Sequence, residues 1–142
     1  MSITLHYASG SPYAWRVWLA LEHKQLPYRL ATLSFSAGDL KKPAFLALNP
    51  RHKVPVLQDD DFAIYESAAI LDYLEEAYPA RPLLPRDVRA RATARRMIRE
   101  TDEYLARALE VLVDEILFTP AEKRDAARIE HGRDAFTDEL AA

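Results

Sequence analysis

Apolar and polar residues alternate at the start of the chain and then change to a helical spacing. Residues Ile3 to Tyr7 alternate as a short strand does, and the turn-forming run 9–12 stops that alternation. A helix is expected to begin near Pro12, because serines precede a proline that suits the first helical turn. Its apolar face recurs at helical spacing until His23-Lys24, with Ala14, Val17, Trp18 and Leu21.

The two periodicities continue to alternate as far as residue 77. The pattern predicts further strands and helices at Tyr28 to Leu33 (strand), Lys42 to Leu48 (helix), Val54 to Gln58 (strand), Phe62 to Tyr65 (strand) and from Ser67 onward (helix). The acidic residues 59–61 form the turn between the third and fourth strands, which predicts a hairpin. The predicted order is therefore βαβαββα.

Three prolines between residues 78 and 86 interrupt both periodicities, as in a linker between domains. After them, Asp87 can cap a long helix with an apolar stripe that reaches Ile116, and Thr119-Pro120 ends it and starts another. Residues Phe136 to Ala142 contain no glycine or asparagine stop signal, so the sequence is expected to end inside a helix. The predicted domains are residues 1–77, a linker at 78–86, and an all-α region at 87–142.

Composition excludes several classes of function. The 142 residues are 49% hydrophobic and 29% charged, as in a globular protein, and the net charge of −3 favours neither nucleic acid nor an anionic membrane surface. Without cysteine there is no disulfide, no thiolate zinc site and no cysteine nucleophile, so any sulfur chemistry would use a thiol of the ligand. The histidines lack metal-ligand spacing, so no metal is expected. The N-terminus lacks a signal-peptide pattern and no apolar run is long enough for a membrane span, so a cytoplasmic location is expected.

Four segments occur together in one order along the chain, and they carry a family resemblance. They are Ser11-Pro12-Tyr13-Ala14-Trp15-Arg16-Val17, Asn49-Pro50, Val54-Pro55-Val56-Leu57 and Glu66-Ser67-Ala68-Ala69-Ile70-Leu71-Asp72-Tyr73-Leu74. Followed by a proline linker and an arginine-rich helix, they resemble the cytosolic glutathione S-transferases, with serine-type bacterial and zeta-like members most similar. The resemblance implies an α/β fold: a thioredoxin-like βαβ-ββα domain with a mixed four-stranded sheet, then a partial all-helical domain. Family members normally have several more helices after this point.

The resemblance changes the interpretation of Val54-Pro55 and Glu66-Ser67. An X-Pro bond is cis in only about 5% of cases, yet in the family this bond is cis and the residue before the proline offers its backbone to glutathione. Ser67 alone would be a helix N-cap. By resemblance it binds the γ-glutamyl carboxylate, and Glu66 binds the ammonium group. Lys53 and His52 could meet the glycyl carboxylate, or they are solvated loop charges.

The family reaction is attack by the glutathione thiolate on an electrophile. A free thiol of pKa about 8.5 is only a few per cent ionised at neutral pH. Lowering the pKa by one unit takes about 1.4 kcal/mol, and one hydroxyl hydrogen bond to a charged group supplies roughly 1.5 to 3 kcal/mol. Ser11 matches the catalytic hydroxyl of the serine-type motif. Tyr7 ranks second and Ser9 third, and Ser11 could also be only an N-cap.

Together these expectations predict a glutathione transferase that acts on an apolar electrophile in detoxification, with glutathione as co-substrate. The arginine run from Arg86 to Arg99 predicts a homodimer contact or a solvated face. One alternative is a glutathione-dependent isomerase of zeta type, suggested by Ser-x-x-x-Trp-Arg-Val, although the paired serines of that motif are Ser11-Pro12 here. The other is a non-catalytic glutathione-binding or interaction protein of the same fold.

Overall fold

The computed structural model describes residues 2–141, which divide into two compact units, Met1–Leu84 and Pro85–Ala142. The first unit is a sheet covered by helices, and the second is entirely helical. Within the described residues, no helix combines the length and apolar character needed to cross a bilayer.

The sheet of the first unit has the mixed four-stranded form that the resemblance implied. Its strands are β1 (Ile3–Ala8), β2 (Tyr28–Leu33), β3 (Val56–Asp59) and β4 (Phe62–Tyr65), in the spatial order β2-β1-β3-β4. β1 is parallel to β2, whereas β3 is antiparallel to both β1 and β4. β3 begins two residues later than expected, because Pro55 has no backbone N–H with which to join the ladder.

Helices cover both faces of this sheet. On one face, α1 (Pro12–Lys24) and α3 (Ser67–Ala77) form a core with Ile3, Leu5, Tyr7, Ala14, Val17, Ala20, Leu21, Leu57, Ile70 and Leu74. On the other face, the short α2 (Pro43–Leu46) packs in a second core of Ala8, Leu40, Phe45, Val54 and Val56. α2 is shorter than the predicted helix: it ends at Leu46, and a turn at residues 47–48 follows it.

A buried ammonium group joins α1 to α3. The side chain of Lys24 is 1% exposed and lies 3.1 Å from the Glu75 carboxylate. It also donates to the carbonyl oxygens of Tyr78 at 2.8 Å and Arg81 at 3.0 Å. Glu75 in turn accepts from the N–H groups of Leu83 at 2.7 Å and Leu84 at 3.2 Å. One ion pair therefore holds the end of α1, the last turn of α3 and the segment that follows.

The strand end at Asp59 is joined to α3 by two tyrosines. The Asp59 carboxylate accepts from the hydroxyl of Tyr73 at 2.8 Å and from the hydroxyl of Tyr78. Partial burial and the hydrogen bond to Asp59 raise the pKa of Tyr73 to about 12, and the same causes raise the pKa of Tyr78. Both hydroxyls therefore keep their protons at ordinary pH and act as donors.

The second unit contains three α-helices: α4 (Val88–Glu100), α5 (Ala106–Val113) and α6 (Ala126–Ala141). Asp87 caps α4 by accepting from the Ala90 N–H at 2.9 Å, as predicted. The predicted long helix is continuous but widens into π-helical turns at Thr101–Leu105 and Asp114–Phe118.

The last helix does not follow Thr119-Pro120 directly, contrary to the prediction. A 3₁₀ turn comes first, at Ala121–Lys123. α6 then begins where Asp125 accepts from the Ala127 and Arg128 N–H groups at 2.9 and 3.2 Å. A proline permits a helix start but does not require one, whereas a side-chain cap fixes it.

The Lys24–Glu75 ion pair predicts a large effect of one substitution. Glu75→Ala leaves a buried ammonium without its carboxylate and removes the acceptor of two backbone N–H groups. We expect the free energy of unfolding of the first unit to fall by about 3 kcal/mol. Both tryptophans, Trp15 and Trp18, lie in that unit, so urea unfolding followed by tryptophan fluorescence measures it.

Glu76→Ala is the matched control, because Glu76 is exposed on the same helix and its substitution should change stability by less than about 0.5 kcal/mol.

The effect of Glu75→Ala on stability should also depend on pH. Partial burial disfavours the charged carboxylate, but hydrogen bonds from Leu83, Lys24 and Leu84 outweigh it and lower the pKa of Glu75. The stabilisation is complete above the unfolded-state pKa of about 4.3 and is lost as pH falls through the folded-state value. An effect of Glu75→Ala as large at pH 3 as at pH 7 would contradict this assignment.

Candidate functional site

Strand register brings three separate segments to one edge of the sheet. His6 of β1 is opposite Val56 of β3, and Val56 is opposite Tyr65 of β4. The carboxyl end of β1, the start of β3 and the carboxyl end of β4 therefore coincide. The loop 9–11, the Val54-Pro55 pair and the Glu66-Ser67 pair all leave the sheet at this edge, and α1 and α3 both begin there.

The segment before β3 contains a buried residue whose backbone groups have no partner within the described residues. The Val54-Pro55 bond is cis, as the resemblance implied. Val54 is only 9% exposed. In the part of the chain that the structure describes, no residue hydrogen-bonds to the backbone N–H or C=O of Val54. Buried backbone groups in native proteins are nearly always paired, so this pair of groups is suited to an extended, peptide-like ligand.

Asn49 fixes the loop that leads into Val54. Its side chain is buried, donates to the Lys53 carbonyl at 2.8 Å and accepts from the Arg51 N–H at 3.0 Å. His52 and Lys53 project from this loop as exposed side chains, and His52 has a positive φ of 46°. Two hydrogen bonds to one buried side chain thus hold the loop backbone, and the exposed side chains of the loop are basic.

Ser11 caps α1 and keeps its hydroxyl proton for another partner. Its hydroxyl oxygen accepts from the Ala14 N–H at 3.2 Å, and the residue is 8% exposed. A serine hydroxyl has one proton besides its acceptor lone pairs. Because the helix uses the oxygen as an acceptor, the O–H bond can point toward an anion beside the N-terminus of α1. The cap and the catalytic role are compatible.

The two rival hydroxyls have different surroundings. Tyr7 lies in the core between the sheet and α1, with its ring 5.2 Å from that of Trp18 in an edge-on contact. Ser9 is exposed in the turn after β1. Of the three candidates, only Ser11 combines burial with a position at a helix N-terminus. Its role in thiol activation stays a prediction.

Glu66 and Ser67 begin α3 in a way that differs from the sequence prediction. Glu66, not Ser67, occupies the N-cap position, with an unusual φ of 68°, and its side chain caps no N–H group. Ser67 is the first helical residue and is 5% exposed. Its hydroxyl oxygen accepts from Nε of Arg16 at 2.9 Å and from Nη2 of the same side chain. A guanidinium from α1 thus takes the place of the expected cap interaction.

Sequence reasoning named Arg16 and Asn49 only as parts of motifs and gave them no role. One signal for Arg16 was available, since it is the only charged residue in the apolar run 14–21 of α1. The structure places its guanidinium 5.3 Å from the centroid of the Tyr13 ring as well as on Ser67. The buried hydrogen bonds of Asn49 had no counterpart in the hydrophobic pattern.

Within residues 2–141, no group of three His, Cys, Asp or Glu side chains is arranged to hold a metal ion.

Comparison with known proteins gives a consistent family. Residues 10–77 match the family model described as "Glutathione S-transferase, N-terminal domain". The chain is 41% identical over 90 residues to a probable maleylacetoacetate isomerase 2 of Drosophila melanogaster, covering 62% of this chain and 40% of that protein. It is 44% identical over 88 residues to glutathione S-transferase 1 of Dianthus caryophyllus, with the same coverages. The matched part thus spans about two fifths of the length of these relatives.

A solved structure extends the match into the second unit. The chain superimposes on a theta class glutathione S-transferase from Xanthomonas axonopodis pv. citri with glutathione bound, at a TM-score of 0.88 and 31% identity. That match covers 98% of this chain and 67% of the other. The thioredoxin-like first unit and the helical second unit follow the same fold. The chain belongs to the glutathione S-transferase family.

Proposed function

We propose that the chain binds glutathione at the sheet edge described above and stabilises its thiolate for attack on an apolar electrophile. The observation that carries this proposal is the backbone of Val54, a buried residue before β3 whose N–H and C=O pair with no described residue. An extended tripeptide can pair with that backbone as an added strand. Its thiol would then lie toward α1, and its γ-glutamyl end toward α3.

Each site residue has a distinct task in this proposal. The Val54 backbone, with Pro55 holding its orientation, pairs with the cysteinyl residue of glutathione. Ser67 donates its hydroxyl proton to the γ-glutamyl carboxylate, which the N-terminus of α3 also favours. Glu66 accepts from the γ-glutamyl ammonium. Lys53 and His52 attract the glycyl carboxylate from the exposed loop.

Ser11 supplies the chemical step. Its hydroxyl donates to the sulfur, and the N-terminus of α1 adds a favourable dipole. The thiol proton leaves to water, and the thiolate then forms a bond to the electrophilic carbon, whose leaving group departs with its bonding electron pair. A hydroxyl hydrogen bond to the thiolate is worth roughly 1.5 to 3 kcal/mol, which corresponds to a thiol pKa lower by about one to two units.

The domain boundaries, assembly and location belong to the same proposal. Residues 1–77 would form the glutathione-binding domain, 78–86 the linker and 87–142 part of the helical domain. The exposed arginines of α4, among them Arg89, Arg95 and Arg99, would contact a second copy in a homodimer. The absence of cysteine suits glutathione chemistry in the cytoplasm, where the reduced thiol is abundant.

The binding site predicts specific losses of glutathione affinity. Glu66→Ala removes the partner of the ligand ammonium, and Ser67→Ala removes a donor to the ligand carboxylate. Each should raise the dissociation constant for glutathione at least roughly tenfold in isothermal titration calorimetry. Asp72→Ala, an exposed acid farther along α3, should leave the affinity unchanged. Unaltered affinity in both site variants would reject the proposed site.

The role of Ser11 predicts a loss of rate together with a shift in thiol ionisation. Ser11→Ala should lower the conjugation rate with an activated aryl halide by roughly tenfold to hundredfold. It should raise the pKa of the bound glutathione thiol, titrated by ultraviolet absorbance, by about one unit or more. Ser9→Ala is the matched control from the same loop. If Tyr7→Phe, and not Ser11→Ala, raised the thiol pKa, Tyr7 would be the activating residue.

A second candidate function is glutathione-dependent isomerisation, which the name of the Drosophila melanogaster relative favours. In that reaction the thiolate adds to a carbon–carbon double bond, the resulting single bond rotates, and the thiolate is expelled again. A transferase consumes one glutathione per product, whereas an isomerase regenerates it. We expect conjugation to consume free thiol in proportion to product with the aryl halide. Product from maleylacetoacetate without loss of thiol would favour the isomerase, and binding without either product would favour a non-catalytic protein.

A further inference from the structure

The contact between Arg16 and Ser67 indicates a role for Arg16, a residue to which the sequence analysis gave none. Ser67 Oγ lies 2.9 Å from Nε of Arg16 and also accepts from Nη2 of that side chain. A guanidinium has only donors, so in this contact the serine oxygen can only accept. Two N–H donors approaching the oxygen force its own O–H bond to point away from the guanidinium.

From these contacts we propose that Arg16 is a positioning residue for the carboxylate end of the ligand. It turns the Ser67 hydroxyl into an outward donor at the start of α3, and it places a permanent positive charge one side chain away from the bound carboxylate. Arg16 therefore acts through Ser67 and does not itself contact the ligand. The inference rests on the proposed binding of glutathione.

The surroundings of Arg16 suit this task. The side chain is half-buried, and its guanidinium lies over the Tyr13 ring with 5.3 Å between the ring centroid and Cζ. Partial burial strengthens the interaction between a cation and a nearby anion relative to the same pair in water. Arg16 and Ser67 are 51 residues apart in the chain, so the contact also fixes the N-terminus of α3 relative to α1.

Ligands that lack one end of glutathione provide the decisive experiment. The full chain and its Arg16→Met variant are titrated calorimetrically with glutathione, with γ-glutamylcysteine, and with cysteinylglycine, which has no γ-glutamyl group. Arg16→Met should weaken binding of the first two ligands at least roughly tenfold. Binding of cysteinylglycine should stay within about twofold of wild type, because that ligand has no carboxylate at Ser67.

A double-mutant cycle tests whether Arg16 acts through Ser67. In the Ser67→Ala background, Arg16→Lys should cost much less glutathione affinity than it does alone, since the hydroxyl that it orients is gone. Arg16→Lys keeps the positive charge but replaces the forked guanidinium with a single ammonium group. It therefore replaces Arg16→Met in the titrations if Arg16→Met does not fold. Arg29→Met, which removes an exposed arginine of β2, is the matched control for loss of charge. Folding of each variant is checked by tryptophan fluorescence.

The outcomes separate this inference from the proposed function. If wild type binds glutathione and Arg16→Met weakens all three ligands equally, Arg16 is merely structural and the inference is overturned. Additive losses in the Arg16→Lys and Ser67→Ala cycle would overturn it as well. A wild-type chain that binds glutathione with Ser67→Ala unaffected would reject the carboxylate site. A wild type that binds none of the ligands would reject the proposed function and the role of Arg16 with it.

Discussion

The fixed register between α1 and α3 is the constraint on which the rest of the first unit depends. Two polar contacts connect these helices, Arg16 to Ser67 near their N-termini and Lys24 to Glu75 near their C-termini. Arg16 and Lys24 are eight positions apart on α1, which is about 12 Å along the helix axis. Ser67 and Glu75 are also eight positions apart on α3. The helices are therefore parallel and level, and both N-termini are held at the same sheet edge.

The two polar contacts matter because apolar packing alone fixes the register of α1 against α3 less strictly. Val17, Leu21, Ile70 and Leu74 fill the core around these helices, but hydrophobic burial has no preferred direction along a helix axis. A charged contact at each end is directional, and both contacts are partly shielded from water. Sliding α3 along α1 by one turn would break both contacts at once and leave the Lys24 ammonium buried without a carboxylate.

Much of this unit could be predicted from the sequence, because its signals are local. The alternation in β1, the proline at the start of α1 and the acidic turn before β4 each determine the structure of their own segment. The Arg16–Ser67 contact could not be predicted from local signals, since it joins residues 51 positions apart. Ser67 shows the limit clearly: its residue type favours an N-cap, but a donor from another helix occupies its oxygen. The starts of β3 and α6 differ from the prediction for local reasons, since Pro55 cannot join the ladder and Pro120 permits a helix start without requiring one.

The candidate site uses the same device at both helix starts. At Ser11 the oxygen accepts from the Ala14 N–H, and at Ser67 it accepts from Arg16. In each case the protein supplies a donor to the serine oxygen, so in the proposed binding mode the hydroxyl proton is available to the ligand. A ligand with one anionic group at each end of a short extended segment matches this arrangement, with Val54 between them. In the proposed complex the thiolate lies at Ser11 and the carboxylate at Ser67, and the positive dipole ends of α1 and α3 favour an anion at each place. Selectivity for a γ-glutamyl thiol over other small thiols would then come from the distance between two serines that the helix register holds constant.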